Sequence, residues 1–585
     1  MPAIQEIIHR IEEGVWARWM KLVTAVLAVA AIAVWYDLRQ FRNFGTAEAM
    51  ESAQLARNLA QGEGFTTHCI RPLSLYLIEK QQGVGARLSR HPHPDIVTPP
   101  VYPLVLAGLM KVLPFHYDIG PGFARYQPEM IIAVFNQLLL CLVAFLTYLL
   151  ARSLFDQGVA AVSAALVLGS ELLWRFTASG LSTTLLLAVF TAVAGLLVRI
   201  EQGTRDEGRS AGWFATRGFS VAVLLALGAL TRYSFGWLVI PVLGFCALYL
   251  GNRRALVCGV IAGAFLLAMA PWLARNYSVS GTLFGVAGYA IHQDTPPFPE
   301  ARLERTMAPD LGKIELEDYF RKVAQSWAPI VSSELPKYGG NWVGAFFLVG
   351  LLLPFRNPAI GRLRSFTLAC LATFALAQGL GHTHLSTDSP EINSENLLVI
   401  TCPVGFMFGV AFFFVLLDQV NFVFPELRRA AIIGFVAIMC LPLILILPRR
   451  GNPIAYPPYL PPWTQEASRF LETNELMMSD MPWAVGWYGD RNCVWAPVDA
   501  RKGFYTINDE QKAISALYLT SLTLDGRLVS QVLHGEDWEW SRFAMDVMLR
   551  TNLPTGFPLL HARSGYLPEQ LLLCDRPRWN ERRAK

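Results

Sequence analysis

Long apolar runs, separated by short polar segments rich in arginine, dominate the chain. They fall at residues 21–36, 130–150, 158–175, 180–200, 217–231, 234–250, 255–272, 341–355, 363–380, 396–417 and 429–448. As helix, runs of this length approach the roughly 30 Å of a bilayer's hydrocarbon, so the pattern predicts about eleven membrane spans. Three polar regions are longer than connectors need: 37–129, 273–340 and 451–585. Within the first, Thr46 to Gly62 reads as one helix, capped by Thr46 and stopped by Gly62 in the left-handed conformation. Met50, Ala53, Ala56, Leu59 and Ala60 form its apolar side. The apolar segment Val101 to Leu113 is too short to span and reads as lying along the membrane surface.

The third region opens with five prolines between Pro453 and Pro462, a stiff linker. Short apolar runs (Cys493–Ala496, Leu571–Leu573) then mix with helical stretches (Trp463–Leu471, Asp509–Tyr518), which predicts an α/β domain. The expected organisation is a membrane domain over 1–450 and a C-terminal domain over 451–585, with residues 463–585 able to fold alone.

Composition supports the membrane assignment: 53% of the 585 residues are hydrophobic and 16% charged, too apolar for an ordinary soluble protein. A net charge of +4 matters less than its distribution. With a cytoplasmic N-terminus, alternate loops carry Arg152; Arg199, Arg205, Arg209 and Arg217; Arg253 and Arg254; Arg356, Arg362 and Arg364; Arg428 and Arg429. The intervening loop 381–395 has no Lys or Arg, so all three long regions are expected outside. Arg449 and Arg450 dissent, since this topology puts them outside too. The first run follows about twenty charged, amphipathic residues without a small-residue cleavage site, and reads as a retained span.

Six of the nine cysteines fall within runs and read as small buried apolar residues. Cys69, Cys493 and Cys574 lie outside; a Cys493–Cys574 bridge is open, with no spacing rule to support it.

Four segments carry a resemblance: Ala56-Arg57-Asn58-Leu59-Ala60-Gln61-Gly62-Glu63-Gly64-Phe65, Pro99-Pro100-Val101-Tyr102-Pro103-Leu104, Ala229-Leu230-Thr231-Arg232 and Pro271-Trp272-Leu273-Ala274-Arg275-Asn276-Tyr277. Their order and separations resemble the GT-C-type membrane glycosyltransferases over about residues 20–450, in particular the protein O-mannosyltransferase and lipid A aminoarabinose transferase group. The resemblance implies a GT-C-like fold, a polyprenyl-phosphate-linked sugar as donor, a lipid, glycan or protein acceptor, and no nucleic acid. It also implies residence in the bacterial inner (plasma) membrane, in contact with membrane lipids.

Such chemistry needs a carboxylate at the acceptor hydroxyl and a cation at the departing phosphate. The family's acidic position, often Asp-Glu at the start of the first loop's helix, corresponds here to Glu48, with Ala49 after it and Glu51 one turn on. Glu48 and Glu51 share a helix face and are the candidate catalytic residues. Arg275 and Arg232, at helix ends, are the candidate phosphate ligands, with Arg175 a weaker third. Tyr102 and His93 complete the candidate substrate-binding set. Relatives often carry an Arg-Tyr pair entering a late span, where this chain reads Asn393-Ser394-Glu395-Asn396-Leu397-Leu398. The ordinary alternatives are acids complementing a helix dipole and arginines snorkelling to headgroups.

His91-Pro92-His93-Pro94-Asp95 and His382-Thr383-His384 lack metal-ligand spacing and read as loop histidines, with His93 a candidate lining residue of an acceptor cleft. No cofactor is required by any motif, and a divalent metal is left open as possible. Trp483, Trp487, Tyr488 and Trp495 offer a sugar-stacking platform or a core, and the reading favours core. The rival functions are a lipid or glycan transporter or flippase and an inactive scaffold. The near absence of ionisable residues in mid-run disfavours ion-coupled transport.

Overall fold

The computed structural model describes residues 15–581 except 85–86, 89–91, 121–124, 206–207, 337, 353–356, 382–391, 421, 423, 525–536, 551–552, 554–555 and 564–569. The chain enters through α1 (Val15–Arg39) and forms three loop helices, α2 (Ala47–Gln61), α3 (Pro72–Gln82) and α4 (Val101–Val112). A helical bundle follows: α5 (Gln127–Leu154), α6 (Gln157–Gly169), α7 (Glu171–Ala178), α8 (Thr183–Gly203), α9 (Ala211–Thr231), α10 (Val239–Tyr249) and α11 (Arg254–Ser280). After a second loop region containing α12 (Leu316–Pro329) come α13 (Val343–Gly350), α14 (Pro358–Leu380), α15 (Cys402–Gln419), α16 (Pro425–Met439) and α17 (Leu441–Ile446).

Among the described residues, six helices are long and apolar enough to cross a membrane, or seven if the bent pair α6–α7 is one span. These features make the chain an integral membrane protein. The count of about eleven is not reproduced, because several apolar runs are broken helices. The run 158–175 bends by 50° at Ser170. There the Ser170 hydroxyl caps α7 at Leu173 N and donates to Gly339 O at 2.9 Å. The run 429–448 breaks at Cys440, where Pro442 in the next first turn lacks the N–H that a continuous helix needs. The run 234–250 begins as a 3₁₀ turn, Tyr233–Leu238, before α10, and the described residues of 341–355 give the eight-residue α13.

The end of α1 meets the end of the bundle directly. Trp35 Nε1 donates to Leu447 O at 2.9 Å, and Gln40 Nε2 donates to Ile446 O at 2.6 Å and Arg449 O at 2.7 Å. Arg449 and Arg450 therefore lie on the same face as the start of the first loop, here called the loop face.

The C-terminal segment is α/β but not closed on itself, and the stretch Asp509–Tyr518, expected to be helical, instead supplies most of the strand Ile514–Leu519. Its strands β2 (Leu476–Ser479), β3 (Asn492–Trp495), β4 (Ile514–Leu519), β5 (His561–Ala562) and β6 (Leu571–Cys574) take in β1 (Cys69–Ile70) from the first loop, in the order β1-β3-β2-β4-β6-β5. Neighbours from β1 to β4 run parallel, and β6 is antiparallel to both β4 and β5. Alternation of side chains splits the core in two. Met477, Cys493, Ala516, Tyr518 and Leu572 face the core shared with the first loop and the bundle. Leu476, Met478, Val494, Leu517 and Leu573 face a separate core that includes Trp540 and Ala544.

The sheet borrows one strand from the first loop and has one face covered from elsewhere, so segment 463–585 is packed into the rest of the chain. The Cys493–Cys574 bridge is also corrected, since both thiols are free. β2 and β4 separate their strands, a distance of about 14 Å at ~4.8 Å per strand, beyond a disulfide's reach.

Candidate functional site

A cavity of about 380 Å³ opens where α2, the segment 97–103 that leads into α4, the end of α9, the segment 284–293 and the end of α14 converge. Its charged lining consists of Glu48, Glu51, Glu304 and Glu395 with Arg71 and Arg232.

Helix α2 delivers the first two carboxylates. Every residue from Ala49 to Asn58 is buried, so the helix is enclosed on all sides and not only along its apolar one. Gly62 ends the helix at φ +88°, a conformation costly for a residue with a Cβ, and Glu63 N closes the turn on Asn58 O at 2.9 Å. Thr46 holds the N-cap position by backbone only; its buried hydroxyl makes no capping bond. Glu48 sits in the first turn, lines the cavity and accepts from Ser394 Oγ at 3.2 Å.

Glu51 lines the same cavity, as a shared helix face predicts, but is held differently. Its two oxygens accept from Arg71 Nη2 at 2.8 and 3.0 Å, and Cys69 Sγ donates to Oε1 at 3.3 Å. Arg71 Nε donates in turn to Glu304 Oε2 at 2.5 Å, and the Arg71 guanidinium lies 5.9 Å from the Trp495 ring. Burial pushes the Glu51 carboxyl above its ordinary value, opposed by the Arg71 charge. The triad Glu51–Arg71–Glu304 thus ties the first loop to the second beneath the C-terminal sheet.

The two candidate phosphate arginines part company. Arg232, at the C-cap of α9, lines the cavity and is buried, with no hydrogen-bond partner for Nη1. Glu395 and Glu48 are the charges that act on it. Arg275, within α11, is not among the cavity-lining residues. Its Nη1 donates to Asp95 O and, at 3.0 Å, to Asn276 Oδ1, while Nη2 donates to Phe65 O at 3.4 Å. The guanidinium also packs 5.3 Å from the Phe65 ring and 4.9 Å from Trp272. The structure therefore places Arg275 as a brace between α11 and the first loop. Arg175 pairs with Glu171 at 3.6 Å, outside the cavity lining.

Tyr102 contributes its ring to the wall, while its hydroxyl donates to Gly180 O at 2.8 Å and accepts from Asn136 at 3.4 Å. His93 does not line the cavity; it is buried, with Nε2 2.8 Å from Ser74 Oγ, and burial pushes its pKa down to about 3. His91, His382 and His384 lie outside the described residues.

Among the described residues, no group of three or more His, Cys, Asp or Glu has a metal-holding arrangement. Glu51 and Glu304, two of the four carboxylates in the lining, are bonded to Arg71, and no metal takes part in the chemistry proposed below.

Trp487 and Tyr488 are core, as read from sequence. Both donate to the buried Glu129 Oε1, at 2.9 and 2.7 Å, and Phe44 N donates to Oε2 at 3.0 Å. Arg57, from the first matched segment, is likewise buried, pairing with Asp490 and donating to Gly486 O at 3.1 Å. Sequence reasoning missed Arg71, Glu304, Ser394 and Glu395 as site residues. The last two stand in the segment that departs from the Arg-Tyr pattern, which was the one available signal; Arg71 and Glu304 offered none.

No protein-family model matches the chain, and no characterised protein sequence matches it significantly. Solved structures do. ArnT from Cupriavidus metallidurans, solved bound to undecaprenyl phosphate, aligns at a TM-score of 0.55 and 11% identity, covering 95% of this chain and 98% of that one. The archaeal oligosaccharyltransferase AglB from Archaeoglobus fulgidus, in complex with an inhibitory peptide and a dolichol-phosphate, aligns at 0.53 and 11% identity, covering 92% of this chain and 72% of that one. The same oligosaccharyltransferase in complex with Zn and sulfate aligns at 0.52 and 11% identity, over 90% and 70%. The chain has the GT-C-type fold that its four segments resemble.

Proposed function

We propose that this protein is a membrane glycosyltransferase that moves a sugar from a polyprenyl-phosphate carrier to an acceptor. The observation that carries this reading is that Glu48 and Arg232, opposite in charge and far apart in sequence, line one cavity. They do so on a fold shared with two proteins solved in complex with polyprenyl phosphates.

The chemistry follows from the pair. An acceptor hydroxyl oxygen attacks the sugar's anomeric carbon, the bond from that carbon to the phosphate oxygen breaks, and the configuration inverts. The Glu48 carboxylate takes the hydroxyl proton as the new bond forms. The carrier departs as a phosphate monoester with added negative charge, and the unsatisfied Arg232 Nη1 supplies a charge-assisted hydrogen bond to it. Glu51, bonded through both oxygens to Arg71, fixes the helix that aims Glu48. The apolar remainder of the wall, with Tyr102, Trp237 and Phe284, suits a sugar ring and the first carrier isoprenes.

On this reading the loop face is extracytoplasmic, the membrane is the bacterial inner membrane, and residues 451–585 form an outer domain completed by β1. Transfer is tested with the full chain in lipid nanodiscs, supplied with radiolabelled polyprenyl-phosphate sugars and a cell-envelope extract as acceptor. Label moving to a product, and lost in Glu48→Gln, is the expected result. Unchanged carrier with every sugar tried, in a chain that is folded, overturns it.

A further inference from the structure

Helix α12 is built the wrong way round for a helix in water. At about 100° per residue, its exposed apolar residues Leu316, Phe320, Ala324 and Trp327 fall within a sector of about 80°. Leu316 is 73% exposed, Phe320 70% and Trp327 43%, and Val331, just beyond the helix, is 61% exposed. Exposed Glu317, Arg321 and Gln325 occupy the adjoining sector, where Arg321 pairs with Glu317 at 3.1 Å. The remaining face, turned to the protein, carries Tyr319, Lys322, Val323 and Ser326, with Lys322 only 2% exposed. A surface helix in water buries its apolar stripe and exposes its lysines; here the phenylalanine is out and the lysine in.

The stripe continues onto a membrane span. Trp327 Nε1 donates to Ala375 O of α14 at 3.2 Å, and its indole ring lies so close to Gly379 that a Cβ there would meet it at 2.9 Å. On α14 itself Leu368 and Leu376 are exposed, and α14 qualifies as a span. Tryptophan at a span's end is the residue a bilayer interface selects.

We infer that α12 lies in the plane of the membrane, with Leu316, Phe320, Trp327 and Val331 immersed in the acyl chains of the loop-face leaflet and Glu317 and Arg321 at its headgroups. The occupant is bilayer lipid, because the stripe is continuous with the exposed leucines of a span and bordered by a charged edge. The seating bears on the cavity, since the inner face of α12 holds part of its wall. Lys322 Nζ donates to Ala290 O at 2.9 Å and Ile291 O at 3.2 Å, and Tyr319 OH meets His292 Nδ1 at 2.7 Å. Ala290 and Ile291 both line the cavity.

The test needs no catalytic assay, so it stands apart from the proposed function. Nitroxide labels are placed by Phe320→Cys and, separately, Arg321→Cys on the full chain in nanodiscs of phosphatidylethanolamine and phosphatidylglycerol. The parent chain sets the background from native thiols. Power saturation is then compared between oxygen, which concentrates in hydrocarbon, and a water-soluble nickel chelate. The expected result is that oxygen relaxes the label at 320 more than nickel does, with the order reversed at 321. Nickel dominating at 320 overturns the proposal, as does shielding from both agents, which would mean that protein covers the stripe. If Phe320→Cys does not fold, Trp327→Cys carries the same contrast.

Discussion

Two sets of charged residues at the cavity, one left partly unsatisfied and one fully bonded, use the same residue types and put them to opposite ends. Glu48 accepts from the Ser394 hydroxyl, and Arg232 keeps a buried nitrogen without a hydrogen-bond partner. Glu51 and Glu304, in the same lining, are bonded to Arg71, while Arg275, outside it, donates to two carbonyls and a side-chain oxygen. A buried charge left without full hydrogen bonding is costly, and it is tolerated where a ligand completes it. The lesson is that an ion's availability for chemistry depends on how much of its bonding capacity the fold has already satisfied.

The largest expected effect would sharpen this contrast. Glu48→Gln keeps size and the Ser394 contact but cannot take a proton, so transfer by the purified variant should fall about 10²–10⁴-fold with the melting temperature unchanged. Arg232→Ala comes next, with a loss of about 10²–10³-fold in transfer at unchanged folding, the scale of removing one donor to developing charge. Equal rates for Arg232→Ala and the parent would erase the distinction between the unsatisfied and the bonded set.

The bonded set should answer in stability instead. Arg71→Met leaves two buried carboxylates facing one another, a change of about 3–5 kcal/mol when a buried pair is broken, read as a lowered detergent melting temperature. Arg275→Lys should cost about 1.5–3 kcal/mol by losing the forked contacts to Asp95, Phe65 and Asn276, with transfer per folded molecule retained. If Arg275→Lys instead abolished transfer in a stable protein, Arg275 would belong with Arg232.

The smallest effect concerns pH. His93 is held neutral, its pKa lowered by burial from 6.5 to about 3, so the unfolded chain takes up that proton first as pH falls. The stability from keeping the ring neutral is present above pH 6.5 and is lost progressively toward pH 3. The melting temperature of His93→Gln should therefore decline less between pH 7 and 5 than that of the parent.

Much of the fold was legible locally. The bounds of α2 followed from Gly62 and an alanine-rich face, and those of α4 from its length after Pro99-Pro100. Trp487 and Tyr488, read as core rather than as a sugar-stacking platform, are both buried. The spans were legible as apolar runs but not as a count, because a hydropathy run does not show where Ser170 or Pro442 breaks a helix.

Local chemistry and spacing in the sequence determined a membrane-spanning helical chain, a loop helix carrying Glu48 and Glu51 on one face, and the positions of its arginines. Tertiary structure alone decided which of those charges faces a cavity. It brought Arg71 and Glu304 together across 233 residues of chain, and it completed a C-terminal sheet with a strand from the first loop. The reason is physical: helix formation depends on neighbours within a turn or two, whereas satisfying a buried charge depends on whatever distant groups the fold delivers to it.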